Sequence, residues 1–458
     1  MISVNEITPK ISRKCKFLYF SLKHVKYYMR YQAINPELFK ANRKHFVKSM
    51  KKGSIAVFVS NDIITRSADS AYAWRQNPDL FYLSGIDQEE TFLVLFPDAP
   101  EEKYRETLFV RQTNDVLLWW EGRKHNMEEA RRISGIETVI WSNQFDEIFN
   151  MLMHYANHVY LNTNEHDRSI SMGEATEVKF ARKVMNDFPL HKYERSAPIL
   201  HQLRVIKSNY EVALLNRAID ITNKGFERVL KFIKPGVWEF EIEAELTHEY
   251  LINRANGHAY SPIVATGENA CVLHYITNTS QCKDGELVLM DCAAEYANYN
   301  ADLTRTVPVN GKFTKRQKSV YNAVLKVHRE ARDMMREGMV VNDLNREVGK
   351  IMEAELINLR LLKKSEVAKQ DKISPLYKKY FPHGTAHFLG LDVHDVGNRF
   401  EKLKAGAVLT CEPGIYIRDE KMGIRIENNI LVTKDKPIDL MANIAIEAEA
   451  IEEIMNSK

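Results

Sequence analysis

The sequence predicts an α/β (α+β) protein built of two domains. Its 458 residues exceed the length over which one core usually keeps growing. Short β-rich runs alternate with helical stretches between about residues 40 and 200, as in a compact α/β domain. Near Arg204 the pattern changes to long amphipathic helices followed by strand-rich sequence. The expected division is a basic extension over 1–35, an N-terminal α/β domain over 36–200 and a second domain over 201–458.

In the first domain the β-rich runs are Ile55–Val59, Thr91–Phe96, Thr107–Val110 and His158–Leu161, with a helical stretch at Met127–Ile133. The second domain opens on a helix whose apolar residues Val212, Leu215, Ile219, Phe226, Leu230 and Ile233 share a face. Ser208 is its candidate N-cap and Pro235-Gly236 its stop. A second helix is expected from about Glu239 to Asn256, then strands at Glu286–Asp291 and Asp302–Val309. Helix returns from about Lys315 to Leu361 with a break near Gly338. Strands follow at Val408–Cys411, Ile415–Arg418, Gly423–Leu431 and Asn443–Glu449. The lysine-rich stretch Lys363–Lys379 reads as an exposed insertion.

Composition narrows the class. Charges are plentiful and mixed, and no apolar run approaches the roughly 20 residues that span a bilayer, so no membrane segment is expected. The formal charge of +3 arises in the first 28 residues, which carry six Lys or Arg against one acid and leave the rest at −2. A nucleic-acid partner is therefore not expected. The five cysteines, Cys15, Cys271, Cys282, Cys292 and Cys411, are odd in number and form no C-x-x-C pair, which favours a reducing cytoplasm over a disulfide framework. Lys10–Arg30 lacks acids, and its longest apolar run, Phe17–Phe20, is far shorter than a secretory signal's core. Three readings stay open there: a transit peptide, a disordered arm, or a start placed upstream of the true one at Met29, from which a chain would be fully active.

The chemistry is carried by acids and histidines in the second domain. A hairpin centred between Tyr296 and Ala297 would set Asp291 directly opposite Asp302, and like charges facing across strands repel. Asp291 also ends the apolar run Leu287–Met290, where an uncompensated carboxylate is costly. A cation between the two answers both problems. A second acidic pair, Glu412 and Glu427, lies at or inside apolar strands, with Arg425 on the face of Glu427. Between the pairs, His383, His387 and His394 fall within twelve residues. Gly384 and the absence of a following glutamate separate this run from the helical H-E-x-x-H zinc motif. His274 follows a Gly267-Glu268-Asn269 turn signal. Taken singly, each feature has an ordinary reading as solvated acids, an ion pair or a core histidine.

Together they form the order Asp, Asp, His, Glu, Glu with spacings that resemble the pita-bread metallopeptidases. The matching segments are Asp291 with Asp302-Leu-Thr-Arg-Thr-Val, His383-Gly-x-x-His387-x-Leu-Gly-Leu-Asp-Val-His394-Asp395, Glu412-Pro-Gly-x-Tyr416 and Gly423-Ile-Arg425-Ile-Glu427. All four are similar to the proline-directed branch, which holds aminopeptidase P and prolidase. In the first domain, Arg66–Tyr72 and Arg75–Gly85 resemble the N-terminal domain of bacterial aminopeptidase P. Three departures stand out: Asn209 in place of a frequent proline, Asn428-Asn429 in place of an acidic stretch, and the Lys363–Lys379 insertion. None falls on a ligand position.

The resemblance implies a C-terminal pita-bread catalytic domain and a metal-dependent aminopeptidase that releases the residue before a proline. It implies two divalent metal ions held by Asp291, Asp302, His387, Glu412 and Glu427, with Asp302 and Glu427 bridging and a bridging hydroxide as nucleophile. An oxygen-rich shell with one imidazole makes manganese the first choice. Glu412 is the implied proton shuttle. His274, His383 and His394 would position substrate and stabilise the tetrahedral intermediate, and Arg425 would anchor Glu427 or bind substrate. The partners implied are proline-containing peptides and further copies of this chain, a dimer or tetramer, through an aromatic cluster of Trp74, Phe81 and Tyr82. Prolidase, which takes Xaa-Pro dipeptides, is the alternative. A non-enzymatic pita-bread binding protein, like a creatine-type amidinohydrolase, would lack the ligands present here.

Overall fold

The strand Ser54–Val59 is buried along its whole length because both faces of its sheet are covered. Ala56 and Phe58 enter one apolar cluster while Ile55 and Val57 enter another, the two-residue alternation of a strand. The computed structural model describes residues 29–168, 174–371 and 373–457. The expectations attached to residues 1–28, Cys15 among them, lie outside the described residues.

The first domain is a mixed six-stranded sheet in the order Thr138–Trp141, Glu106–Val110, Phe92–Leu95, Ser54–Val59, His158–Leu161, Lys192–Arg195. The four predicted β-rich runs occupy its middle. The two strands missed by sequence reading are its edges: Thr138–Trp141 is a short apolar run, and Lys192–Arg195 carries polar, half-exposed residues that blur the apolar signal. Asn126 caps the helix Met127–Ser134 through a capping box with Glu129. Phe81 and Tyr82 are fully buried in this domain's own core, and Trp74 donates its indole N–H to the Asn61 carbonyl at 3.1 Å. These aromatics therefore do not form the surface for self-association that the sequence suggested. Residues 29–35 touch both domains: Tyr31 donates to Asp87, the Gln32 amide to Tyr296, and Arg30 to the Ala255 carbonyl.

In the second domain Ser208 caps the helix Asn209–Phe232 and forms a capping box with Glu211. Glu239–Ile252 packs against it, and a second helix pair, Lys315–Met334 and Val341–Asn358, is divided at Gly338, whose φ of +90° favours glycine. Antiparallel strands fill the space between: Leu287–Asp291 pairs with Ile263–Thr266 and Thr304–Pro308, Val408–Cys411 with Asn428–Leu431, and Gly414–Ile417 with Met422–Arg425. One predicted strand is wrong. Asn443–Glu449 is not extended; a helix begins at Ala448 and runs to Asn456, burying Ala448 and Ile451 three residues apart with Glu449 in its first turn. The insertion Lys363–Lys379 is mostly exposed, yet Tyr377 packs so closely on Gly349 that a Cβ there would lie 2.6 Å from its ring.

His328, on Lys315–Met334, is wholly buried with neither ring nitrogen hydrogen-bonded, and burial followed by the charges of Arg305, Arg332 and Arg329 lowers its pKa to about 3. The folded protein thus refuses a proton that the unfolded chain accepts below pH 6.5, so stability falls as pH drops from 6.5 towards 3. Replacing His328 by leucine is expected to remove this liability. In chelator, urea unfolding at pH 7 and pH 4.5 should show the variant gaining about 2 kcal/mol on the native protein between the two, since a tenfold difference in proton affinity between the folded and unfolded chain is worth about 1.4 kcal/mol. An equal gap at both pH values would refute it.

Candidate active site

The hairpin that carries the first acidic pair turns at Ala297-Asn298, both left-handed with φ of +52° and +65°, the geometry of a two-residue type I′ turn. Tyr296 faces Tyr299, so Asp291 pairs with Thr304 and not with Asp302, two residues away from the predicted register. A shift of two keeps both aspartates on one face, as diagonal neighbours. Isolated bridges Thr304↔Glu427 and Phe388↔Leu409 then draw the remaining segments in. One ligand atom each from Asp302, His387 and Glu427 lies within 4.8 Å of the others. His387 Nε2 is 3.4 Å from Asp302 and 3.7 Å from Glu412. The five predicted ligands are thereby assembled at one place.

Arg425 lines the same cleft and is bonded into the cluster. It donates to Asp291 Oδ2 at 2.5 Å, to the Tyr416 hydroxyl at 2.9 Å and to Thr304 Oγ1 at 3.1 Å, and the Thr304 hydroxyl in turn donates to Glu427 at 2.6 Å. It reaches Glu427 only through Thr304. Tyr260 donates to the other oxygen of Asp291 at 2.5 Å. Beneath the site, fully buried Arg305 donates to the carbonyls of Thr304 and Glu427 and to Asn428, while the Asn429 side chain pairs with both backbone groups of Asp302. The Asn428-Asn429 departure is thus the frame that holds two of the acids. Thr304 and Arg305 lie inside one of the sequence motifs; Tyr260 and Asn429 carry no sequence signal of their own.

Hydrogen bonds fix the histidine tautomers. His387 Nδ1 donates to the Phe388 carbonyl at 3.0 Å, leaving Nε2 free to bind a cation. His383 Nδ1 donates to the Gly384 carbonyl, so its Nε2 accepts from the Tyr416 hydroxyl at 2.8 Å and both nitrogens are committed. The Nδ1 of His394 accepts from Arg168 of the first domain at 2.7 Å, which leaves an Nε2–H on a ring stacked edge-on against His387. His274 is exposed on the cleft wall. Arg168 had no counterpart in the sequence reading.

Burial pushes the Glu412 carboxyl up to about 7, and burial together with Asp302, Glu412 and Asp291 pushes Glu427 well above its ordinary range. Asp291 is raised as well, by burial and Asp302 against the pull of Arg425. Burial opposes a charge on His387, but Asp302 and Glu412 outweigh it and raise its pKa. Among the described residues the four carboxylates have one contacting guanidinium, that of Arg425, so the cluster is short of positive charge. Divalent cations fit such a donor set.

The acids line one part of a cleft of about 930 Å³ whose far wall comes from the first domain, including Asn61, Asn77, Asn162 and Arg168. A buried ion network locks that wall in place. Arg204 donates to Asp79 of the first domain at 2.8 Å and to Asp392 and Asp395 of the second at 2.8 and 2.6 Å, and Lys207 meets Asp395 at 2.9 Å. Burial raises Asp395, yet Lys207 and Arg204 overcome it and hold its carboxyl below the usual range.

Two family models match the chain: "Aminopeptidase P, N-terminal domain" over residues 39–160 and "Metallopeptidase family M24" over residues 213–434. The Xaa-Pro aminopeptidase of Escherichia coli K12 is 33% identical over 437 residues, 92% of this chain and 98% of that protein. Xaa-Pro aminopeptidase 3 of Homo sapiens is 30% identical over 415 residues, 87% of this chain and 80% of that protein. Zinc-substituted E. coli aminopeptidase P, solved in complex with product, superposes with a TM-score of 0.82 at 32% identity, covering 93% of this chain and 99% of that one.

Proposed function

The chain belongs to metallopeptidase family M24, with an N-terminal α/β domain ahead of a pita-bread domain, and from that premise we propose that it is an aminopeptidase that releases the residue preceding a proline. The observation that carries this reading is the convergence of four carboxylates, two buried and two half-buried, and one imidazole in a cleft walled by the first domain. In this reading Asp291, Asp302, His387, Glu412 and Glu427 would hold two divalent cations. The oxygen-rich set favours manganese. When bound, the cations supply Lewis-acid polarisation of the scissile carbonyl and lower the pKa of water.

The protein's own groups do the rest. Glu412 takes a proton from the attacking water and returns it to the proline nitrogen as the bond breaks. His394, with Nε2–H left over, and His274, on the cleft wall, are the donors placed to meet the peptide. His383 acts through Tyr416, which it holds against Arg425. The division near residue 200 belongs to the same proposal. So does a cytoplasmic location, supported by four free cysteines and by the absence, among the described residues, of a helix long and apolar enough to cross a membrane.

Substrate length separates this reading from prolidase. With manganese, Ala-Pro-Ala is expected to be cleaved with a higher kcat/KM than Ala-Pro, because the added residue can contribute binding to the transition state, and Ala-Ala-Ala is expected to be poor. Exclusive cleavage of the dipeptide would establish prolidase instead.

Self-association passes to another surface. The helix Asp115–Glu121 leaves Trp119 and Trp120 87% and 85% exposed beside exposed Val116 and Leu118. Sedimentation at micromolar concentration is expected to show an oligomer that Trp119→Ala/Trp120→Ala disperses. A monomeric native protein would end this part of the proposal.

A further inference from the structure

His274 sits in the segment 267–280 between the strands Ile263–Thr266 and Leu287–Asp291. Its middle has little packing of its own: Val272 and Ile276 are more than half exposed, and His274 is exposed with no hydrogen bond to its ring among the described residues. Left to itself, such a segment would sample many positions. A buried carboxylate ties its ends together, beside buried Asn278, which donates to Glu243 and the Pro262 carbonyl and accepts from the Val264 amide. Glu239, the first residue of Glu239–Ile252, is 0% exposed. Its Oε1 accepts from the Thr266 amide at 2.7 Å and Asn269 Nδ2 at 3.1 Å. Its Oε2 accepts from the Tyr275 hydroxyl and the Ser280 amide, both at 2.8 Å. Its own amide donates to the Ser280 carbonyl at 2.9 Å. No cation pairs with it among the described residues.

We propose that Glu239 is a positioning residue that sets His274 across the cleft from the carboxylates, and so governs how the peptide is held. The inference rests on the reading that His274 meets the substrate. Its geometry is specific. The four partners run from Thr266, just ahead of the segment, to its last residue, Ser280, and one of them, Tyr275, is the direct neighbour of His274. All four act as donors, so only a group with two acceptor oxygens satisfies them; a glutamine would turn its NH2 towards a backbone N–H in either orientation. On the far side, the Ala270 carbonyl approaches Gly423 so closely that a Cβ there would lie 2.1 Å away. The anchored segment therefore rests directly on the strand that carries Arg425. A shift at Glu239 would reach His274 before it reached any proposed metal ligand.

The test is a double-mutant cycle on the manganese-loaded enzyme with Ala-Pro-Ala, measuring kcat and KM. Glu239→Gln should lower kcat/KM by about tenfold or more, and His274→Ala by at least as much. The double variant should lie within about twofold of His274→Ala alone, because the first substitution acts through the second residue. If Glu239→Gln costs the same factor with and without His274, its role is general support of the fold and the inference is overturned. If His274→Ala leaves kcat and KM unchanged, the reading of His274 itself fails and the inference falls with it. Should Glu239→Gln not fold, Tyr275→Phe removes one of the four bonds and carries the same cycle. A loss of about threefold is expected only where His274 is present.

Discussion

Asp302→Ala is expected to yield a folded protein that binds less manganese and cleaves Ala-Pro-Ala about a thousandfold more slowly, equivalent to about 4 kcal/mol of transition-state stabilisation. The fold survives because Asn429 holds the backbone of residue 302 and not its carboxylate. The effect on stability should depend on metal. Asp302 is one of the groups that push up Glu412, Glu427 and Asp291, so without cations its removal relieves repulsion among buried acids. In chelator the variant should melt no lower than the native protein. With manganese the order should reverse, since the native protein alone gains the full binding energy. A native protein whose melting temperature ignores manganese, or an Asp302→Ala variant with normal turnover, would defeat the assignment of the site.

Glu412→Gln tests the chemistry and not the assembly. The glutamine keeps the shape and the backbone bond to the Thr385 carbonyl, but can neither carry the negative charge nor accept the water's proton. Turnover should fall by about 100- to 10,000-fold, the range of general acid–base assistance, with KM much less affected. Bound metal, measured on the same samples, should fall far less than turnover. Loss of activity in strict proportion to metal content would reduce Glu412 to a ligand and move proton transfer elsewhere.

The proposed ligands were legible because acids and histidines recur there in an otherwise apolar setting, and that contradiction is visible in one dimension. Ser208 and its helix were legible for a related reason, since a capping box and a repeating apolar face are local patterns. The register of the Asp291 hairpin was not. Ala297-Asn298 carries none of the glycine that usually marks a type I′ turn, and its left-handed conformations follow from what surrounds it. Glu239 was invisible, and Arg305 visible only as part of a motif with no role of its own, for the opposite reason. Each looks like an ordinary surface charge until folding brings together groups distant in the chain, as when Arg305 meets Glu427. Phe81 and Tyr82 failed through ambiguity, because an aromatic run reads alike whether it fills a core or faces a partner.

The ion network around Arg204 bears on how a peptide enters. Swinging the first domain outward would strip Asp79 from Arg204 and Arg75 from Asp392 and Glu295. Parting a buried pair typically costs about 3–5 kcal/mol, and the two half-exposed pairs of Arg75 would part with it. These contacts therefore oppose a widening of the mouth. Admission becomes a matter of calibre: a loose chain end threads in, while a terminus packed against its own folded protein is turned away by size, whatever its sequence.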